Sequence, residues 1–177
     1  MVKKSFSNMA CSLARALGII GEWWSMLIVR DFFLGNGVRR FEQLRDSLGI
    51  SRNILTERLK TLTEAGVIER VPLREGGKRC AYKLTDQGVD LMPTMVAMMQ
   101  WGEKWQSEPK QRLVVVREKA TGDEIAPLCL RNQGGEPLSM RDLYLTAVGP
   151  HGEQVVKEWP PDWITDSDQL PASTLKH

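Results

Sequence analysis

Ser51, Arg52, Asn53 and Thr56 stand close together in a chain of 177 residues, and their types suit recognition better than catalysis. Arginine carries a planar fork of donors, and asparagine sets a donor beside an acceptor, so each makes two hydrogen bonds to one planar edge. On duplex DNA those edges are guanine for Arg52 and adenine for Asn53; the hydroxyls of Ser51 and Thr56 suit bases or phosphates. Cations flank this group: Arg39 and Arg40 upstream, Lys60 further along, and Arg74, Lys78 and Arg79 beyond. Such side chains are phosphate contacts, which orient a protein on a duplex without reading its sequence. Arg58 is set apart, since it can instead bridge to an acidic neighbour within its own domain.

Other chemistries lack their residues. No Ser/His/Asp order, HExxH motif or glycine-rich phosphate loop is present, and both histidines, His151 and His177, fall outside the well-patterned region. An enzyme is therefore not expected. Cys11, Cys80 and Cys129 are odd in number and widely spaced, which argues against a disulfide framework and for a reducing compartment. Without CxxC, CxxH or HxxxH pairs, no metal site and no cofactor are expected. The opening Met1-Val-Lys-Lys-Ser leads into no apolar run of signal-peptide type, and no stretch has the length of a membrane span, so the reading is cytoplasmic and nucleoid-associated, with no membrane partner.

The elements that must hold the recognition group follow from periodicity. Leu13, Ala16, Leu17 and Ile20, then Trp24, Leu27, Ile28 and Phe32, repeat at helical spacing, with Gly18 and Gly21 expected to divide two helices. Gly35-Asn36-Gly37 stops the second. Phe41, Leu44 and Leu48 mark a short helix closed by Gly49, with Arg39 and Arg40 at its start. Ser51 is the N-cap of the next, whose stripe Leu55, Leu59 and Leu62 must face a core, with Ile54 beside it. Ser51, Arg52, Asn53, Thr56 and Lys60 then point outward. Residues 67–71 and 81–84 read as strands joined by the basic tip Arg74-Glu75-Gly76-Gly77-Lys78-Arg79.

A long helix is expected from Thr85 to Trp105, with Pro93 either kinking it or marking its true first turn. Its apolar stripe, Leu91, Met95, Met98, Trp101 and Trp105, is broader than a lone helix requires. Beyond Ser107, residues 113–117, 124–131 and 142–148 read as short strands, and from Gly149 the composition suggests an irregular tail that Trp159 and Trp163 can pin to a surface. The expected organisation is thus 1–106, 107–150 as a small β appendage, and 151–177 as tail. Charge follows the same division. Residues 1–106 hold 16 Lys/Arg against 11 Asp/Glu, a net of +5, and residues 107–177 hold 8 against 11, a net of −3. Within 38–84 the count is 11 against 6, which points to a polyanion partner for that segment.

Helix, helix, helix, strand, basic turn, strand is the order of a winged helix-turn-helix, so the fold class is α+β: a winged helix with a long C-terminal dimerisation helix and a small β appendage. Winged helices of this pattern bind duplex DNA or, in other cases, only protein. The run from Cys11 to Asp31, with Gly21, Trp24, Arg30 and Asp31, resembles the opening of HxlR-type (MarR-like) transcription regulators. Arg40-Phe41-x-x-Leu44, Ile50-Ser51-x-x-x-Leu55-x-x-Arg58-Leu59-x-x-Leu62, Gly66-x-Ile68-x-Arg70 and Tyr82-x-Leu84-Thr85-x-x-Gly88 continue the likeness across residues 9–106. Trp23, where the family usually has Lys or Arg, and Ser12, where it usually has Pro, depart from it.

The resemblance implies a bacterial homodimer that binds double-stranded DNA at near-palindromic sites, acting as a repressor. Leu13, Leu17, Leu91, Met95, Met98, Trp101 and Trp105 are then dimer-interface residues; the alternative is packing within one subunit. It also implies response to a small-molecule or oxidant effector through Cys11 or a dimer-interface pocket; for Cys11, helix N-termini and cations, here Lys3, Lys4 and Arg15, favour a thiolate. The alternative for Cys11 is a small buried core residue. The appendage resembles zinc-ribbon extensions of some relatives, but only Cys129 and the turn Gly134–Pro137 fit, so a metal-free unit is expected.

Overall fold

A computed structural model describes residues 9–35, 37–74, 79–106, 114–149 and 152–158. Helix α1, Ser12–Ile20, is capped by Cys11, and α2, Trp23–Phe33, leaves it at a bend of 75°. The break falls at Gly21, while Gly18 stays inside α1. Strand β1, Val38–Arg40, leads directly into α3, Phe41–Leu48. Arg39 and Arg40 are therefore strand residues, β1 pairing with a later strand before the helix begins, and Arg40 is at the same time the N-cap of α3.

Gly49 ends α3 at φ +62, a left-handed conformation that side chains strain to adopt, and this sharp turn delivers the chain to Ser51 and α4, Arg52–Glu64. Strands β2, Ile68–Pro72, and β3, Cys80–Leu84, complete an antiparallel sheet of order β1-β3-β2. Ile28, Val29 and Phe32 of α2, Leu44 of α3, Leu55, Leu59 and Leu62 of α4, and Ile50, Val67 and Ile68 form one buried cluster. The leucine stripe read from the sequence is the inner face of α4, and this core orients α4 against α2 and β2.

The expected single helix after Thr85 is two: α5, Asp86–Val89, and α6, Met92–Gln106. Pro93 lies in the first turn of α6, where its missing N–H interrupts no helical bond. Thr85 ties the junction down, its hydroxyl accepting from the Gly88 N–H at 3.2 Å and donating to the Gly66 and Val67 carbonyls.

Contacts divide the chain into Met1–Ile125 and Ala126–His177. Val114, Val116 and Ile125 line a small cavity with Val96 and Met99 of α6, so residues 114–125 belong with the first unit. Among the described residues of 114–131, strand pairing is limited to the isolated bridges Arg117↔Glu124 and, in the second unit, Arg131↔Pro137. There β4, Tyr144–Gly149, pairs with β5, Gly152–Glu158. The irregular tail expected from Gly149 thus contains a strand, since Gln154-Val155 finds a ladder partner in Thr146-Ala147 that composition does not reveal. Leu113, His151, Trp159 and Trp163 lie outside the described residues.

Candidate DNA interface

Helix α4 presents two chemically distinct faces. Leu55, Arg58, Leu59 and Leu62 are buried, while Ser51, Arg52, Asn53, Ile54, Thr56, Glu57 and Lys60 are exposed. Ser51 uses its hydroxyl as the N-cap, accepting from the Ile54 N–H at 3.4 Å. Thr56 donates its hydroxyl back to the Arg52 carbonyl at 2.8 Å, which leaves the oxygen free to accept. Lys60 stands 3.8 Å from Glu64, one turn on. Arg58, only 4% exposed, pairs with Glu57 and is part of the inner face, as its separate reading anticipated.

Arg52 is held. Its Nη2 donates to Glu42 Oε1 at 2.9 Å, and its guanidinium lies 5.2 Å from the centre of the Phe41 ring. The other Glu42 oxygen is in an ion pair with Arg45 Nη1 at 2.6 Å, and Arg45 also donates to Asp46 Oδ1 at 2.8 Å. That hydrogen bond to Asp46, with burial opposing it, raises the Arg45 pKa above its ordinary value. Glu42 and Arg45 were not singled out from sequence; the signal was an acid one residue into α3, ten positions before Arg52, and only the turn at Gly49 makes them neighbours.

Further cations lie on the sheet and its hairpin. Arg74 and Arg79 are exposed on the two arms of the β2–β3 hairpin, which the Leu73 N–H closes on the Arg79 carbonyl at 3.0 Å. Lys78 lies outside the described residues. Arg40 is exposed, its backbone N–H donating to Gln43 Oε1 at 2.8 Å. Arg39 is turned inward instead. Its Nε donates to the Asp31 carbonyl at 3.0 Å, and its guanidinium lies so close against Gly35 that a Cβ there would fall 2.3 Å from Cζ. A cation committed to the end of α2 is a poor phosphate clamp. Arg70, also missed from sequence, is exposed on β2 and donates to Cys80 Sγ at 2.9 and 3.3 Å. Those bonds raise the arginine pKa and orient a further cation on the wing.

The residues expected at an interface between subunits separate into two groups. Leu13, Leu17, Met98, Trp101 and Trp105 are exposed, Leu13 at 68% and Trp101 at 60%. Met95, only 7% exposed, and the half-buried Leu91 pack within the subunit. Cys11 is exposed, its Sγ accepting from the Ala14 N–H at 3.5 Å, so it is not a core residue. Arg15 does not serve it: its guanidinium donates to the Met9 carbonyl and Ser12 Oγ. Lys3 and Lys4 lie outside the described residues. Among the described residues no cluster of His, Cys, Asp and Glu could hold a metal, and no single helix is long and apolar enough to cross a membrane.

Three helices, a three-stranded sheet and an arginine-bearing hairpin beside a polar helix face define a winged helix-turn-helix DNA-binding protein. The chain belongs to the HxlR-like helix-turn-helix family, whose model matches residues 19–110. It is 38% identical over 132 residues to the HTH-type transcriptional regulator Rv3095 of Mycobacterium tuberculosis, itself uncharacterized; the match covers 75% of this chain and 82% of that one. A match of 132 residues reaches beyond the family span, so part of the segment after residue 110 is shared with that relative. Among solved structures, PA1607, assigned as a transcription factor, aligns with a TM-score of 0.72 at 41% identity, covering 80% of this chain and 98% of its own. PA1374 of Pseudomonas aeruginosa, likewise assigned, aligns with a TM-score of 0.55 at 34% identity, covering 79% and 93%. The protein is a DNA-binding transcription regulator, of a family of regulators and not of enzymes.

Proposed function

We propose that the protein is a homodimeric repressor that reads near-palindromic duplex sites through the first turns of α4. The observation that carries this reading is the solvent exposure of the N-terminal face of α4, with Arg52 and Asn53 in water, together with the exposed Arg74 and Arg79 of the β2–β3 hairpin. In it Arg52, Asn53, Thr56 and Ser51 meet base edges, and Arg40, Lys60, Arg74, Lys78 and Arg79 meet phosphates. Arg39 serves as a brace within the domain. Ile54, exposed on the same face, offers an apolar contact of the kind that suits a thymine methyl. Such a role puts the protein on nucleoid DNA in the cytoplasm.

The dimer rests on the apolar faces of α1 and α6. Leu13, Leu17, Met98, Trp101 and Trp105 are large side chains left in water by the lone chain, and a second copy would cover them. In this organisation residues 1–106 bind DNA and dimerise, residues 114–125 pack against α6 of the same unit, and the segment from Ala126 is an accessory β unit.

The test is a gel shift with the DNA flanking the protein's own gene, at two salt concentrations. Arg52→Ala and Asn53→Ala, with circular dichroism unchanged, are expected to abolish the preference for that DNA; equal affinity of all three proteins for unrelated DNA would refute the assignment. A second reading, response to oxidants or electrophiles, is favoured by the solvent exposure of the Cys11 thiol at the start of α1. Diamide is then expected to release wild-type protein from DNA and to leave Cys11→Ser bound.

A further inference from the structure

We propose that Glu42 is a positioning residue that sets sequence specificity, by holding the Arg52 guanidinium for base contact and away from the phosphates. The inference rests on the assignment of Arg52 to base reading. Glu42 sits in the first turn of α3, outside the recognition helix, and its carboxylate bridges two arginines: Arg45 Nη1 at 2.6 Å on one oxygen and Arg52 Nη2 at 2.9 Å on the other. The Phe41 ring, 5.2 Å from Arg52 Cζ, gives the same guanidinium a second neighbour. One donor of Arg52 is thus occupied and its cation is set over a ring, while Nε and Nη1 have no hydrogen-bond partner among the described residues.

A long exposed arginine without such restraint takes the nearest phosphate on any duplex, because that attraction needs no particular sequence. A restrained one gives up that contact and loses less freedom when it meets a guanine edge. Glu42 therefore weakens binding to unrelated DNA and sharpens discrimination. Since the pair is exposed, the effect is modest, about two- to five-fold in the ratio of affinities.

The experiment measures affinity and its salt dependence for two duplexes, one enriched by wild-type protein from a randomised library and the other its scrambled sequence. The proteins are wild type, Glu42→Gln, Arg52→Ala, the double variant and Asp46→Asn. Glu42→Gln is expected to bind the scrambled duplex more tightly, with a salt slope steeper by about 0.9 for one added phosphate contact, and to lose two- to five-fold of the ratio. In the Arg52→Ala background the same change should leave the ratio where it is. Asp46→Asn removes a neighbouring charge that does not touch Arg52, and it should not lower the ratio.

Three results overturn the proposal: an unchanged ratio in Glu42→Gln where Arg52→Ala collapses it, an equal loss in both backgrounds, or the same loss in Asp46→Asn. An Arg52→Ala ratio equal to wild type would instead remove the base-reading assignment on which the proposal rests. Thermal melting reads the fold independently, and none of these exposed substitutions should shift it appreciably.

Discussion

The α3–α4 pair and the α1/α6 faces treat the same kinds of side chain in opposite ways. In α3–α4 the leucines are closed into the core and the polar groups point outward, each cap and turn completed within the chain. On α1 and α6, Leu13, Leu17, Met98, Trp101 and Trp105 are the groups in water. The first region is finished in the single chain and can hold arginines in defined positions. The second leaves its apolar side chains in water, the surface on which the proposed dimer rests.

That contrast can be broken from either side. The largest effect should come from truncating the finished region: Leu55→Ala, at a fully buried position, is expected to cost about 2–5 kcal/mol in denaturant unfolding. A loss as small as that of an exposed residue would mean that the α4 core is not closed. Trp101→Arg attacks the other region and should barely change the fold of a subunit. It should shift the sedimenting species toward the monomer, at a cost of about 2 kcal/mol or more in self-association. An unchanged oligomer would leave that face without its proposed role. Ser51→Ala removes the hydroxyl that caps α4, and should lower stability by about 1 kcal/mol.

The smallest effect lies in the second unit. The Ser139 hydroxyl and N–H both donate to Asp142 and hold its carboxyl below the ordinary carboxylate range. A depressed folded-state value means that this contribution is fully present above the unfolded carboxylate pKa, about 3.9, and is lost as the pH falls through the folded one. In a carbon-detected NMR titration, Ser139→Ala should bring the Asp142 midpoint up toward the ordinary value.

Much of the interface was legible because it rests on local rules. The Leu55/Leu59/Leu62 period fixes which side of α4 faces inward, and Ser51 announces the helix start. Reading failed where the fold, and no local period, supplies the partner. Arg39 reads as one more cation until Asp31 and Gly35 are brought against it, and Met95 reads like Met98 until the chain packs around one and not the other. β5 was hidden for a related reason: the strand propensity of Val155-Val156 is short and flanked by turn-forming and acidic residues, and only pairing with β4 turns it into a ladder.

The sequence by itself determined the winged-helix class, the family and the polar face of α4, since helix period, caps and turn glycines act over a few residues. Tertiary structure alone decided which cations are free. Arg40 and Arg79 remain exposed, Arg39 is drawn into the domain, and Arg52 is gripped by Glu42 and Phe41. A charge has no orientation in a sequence. It acquires one only when the fold brings up a carboxylate, a carbonyl or a ring within a few ångströms, where electrostatic and hydrogen-bond forces are strong enough to hold it.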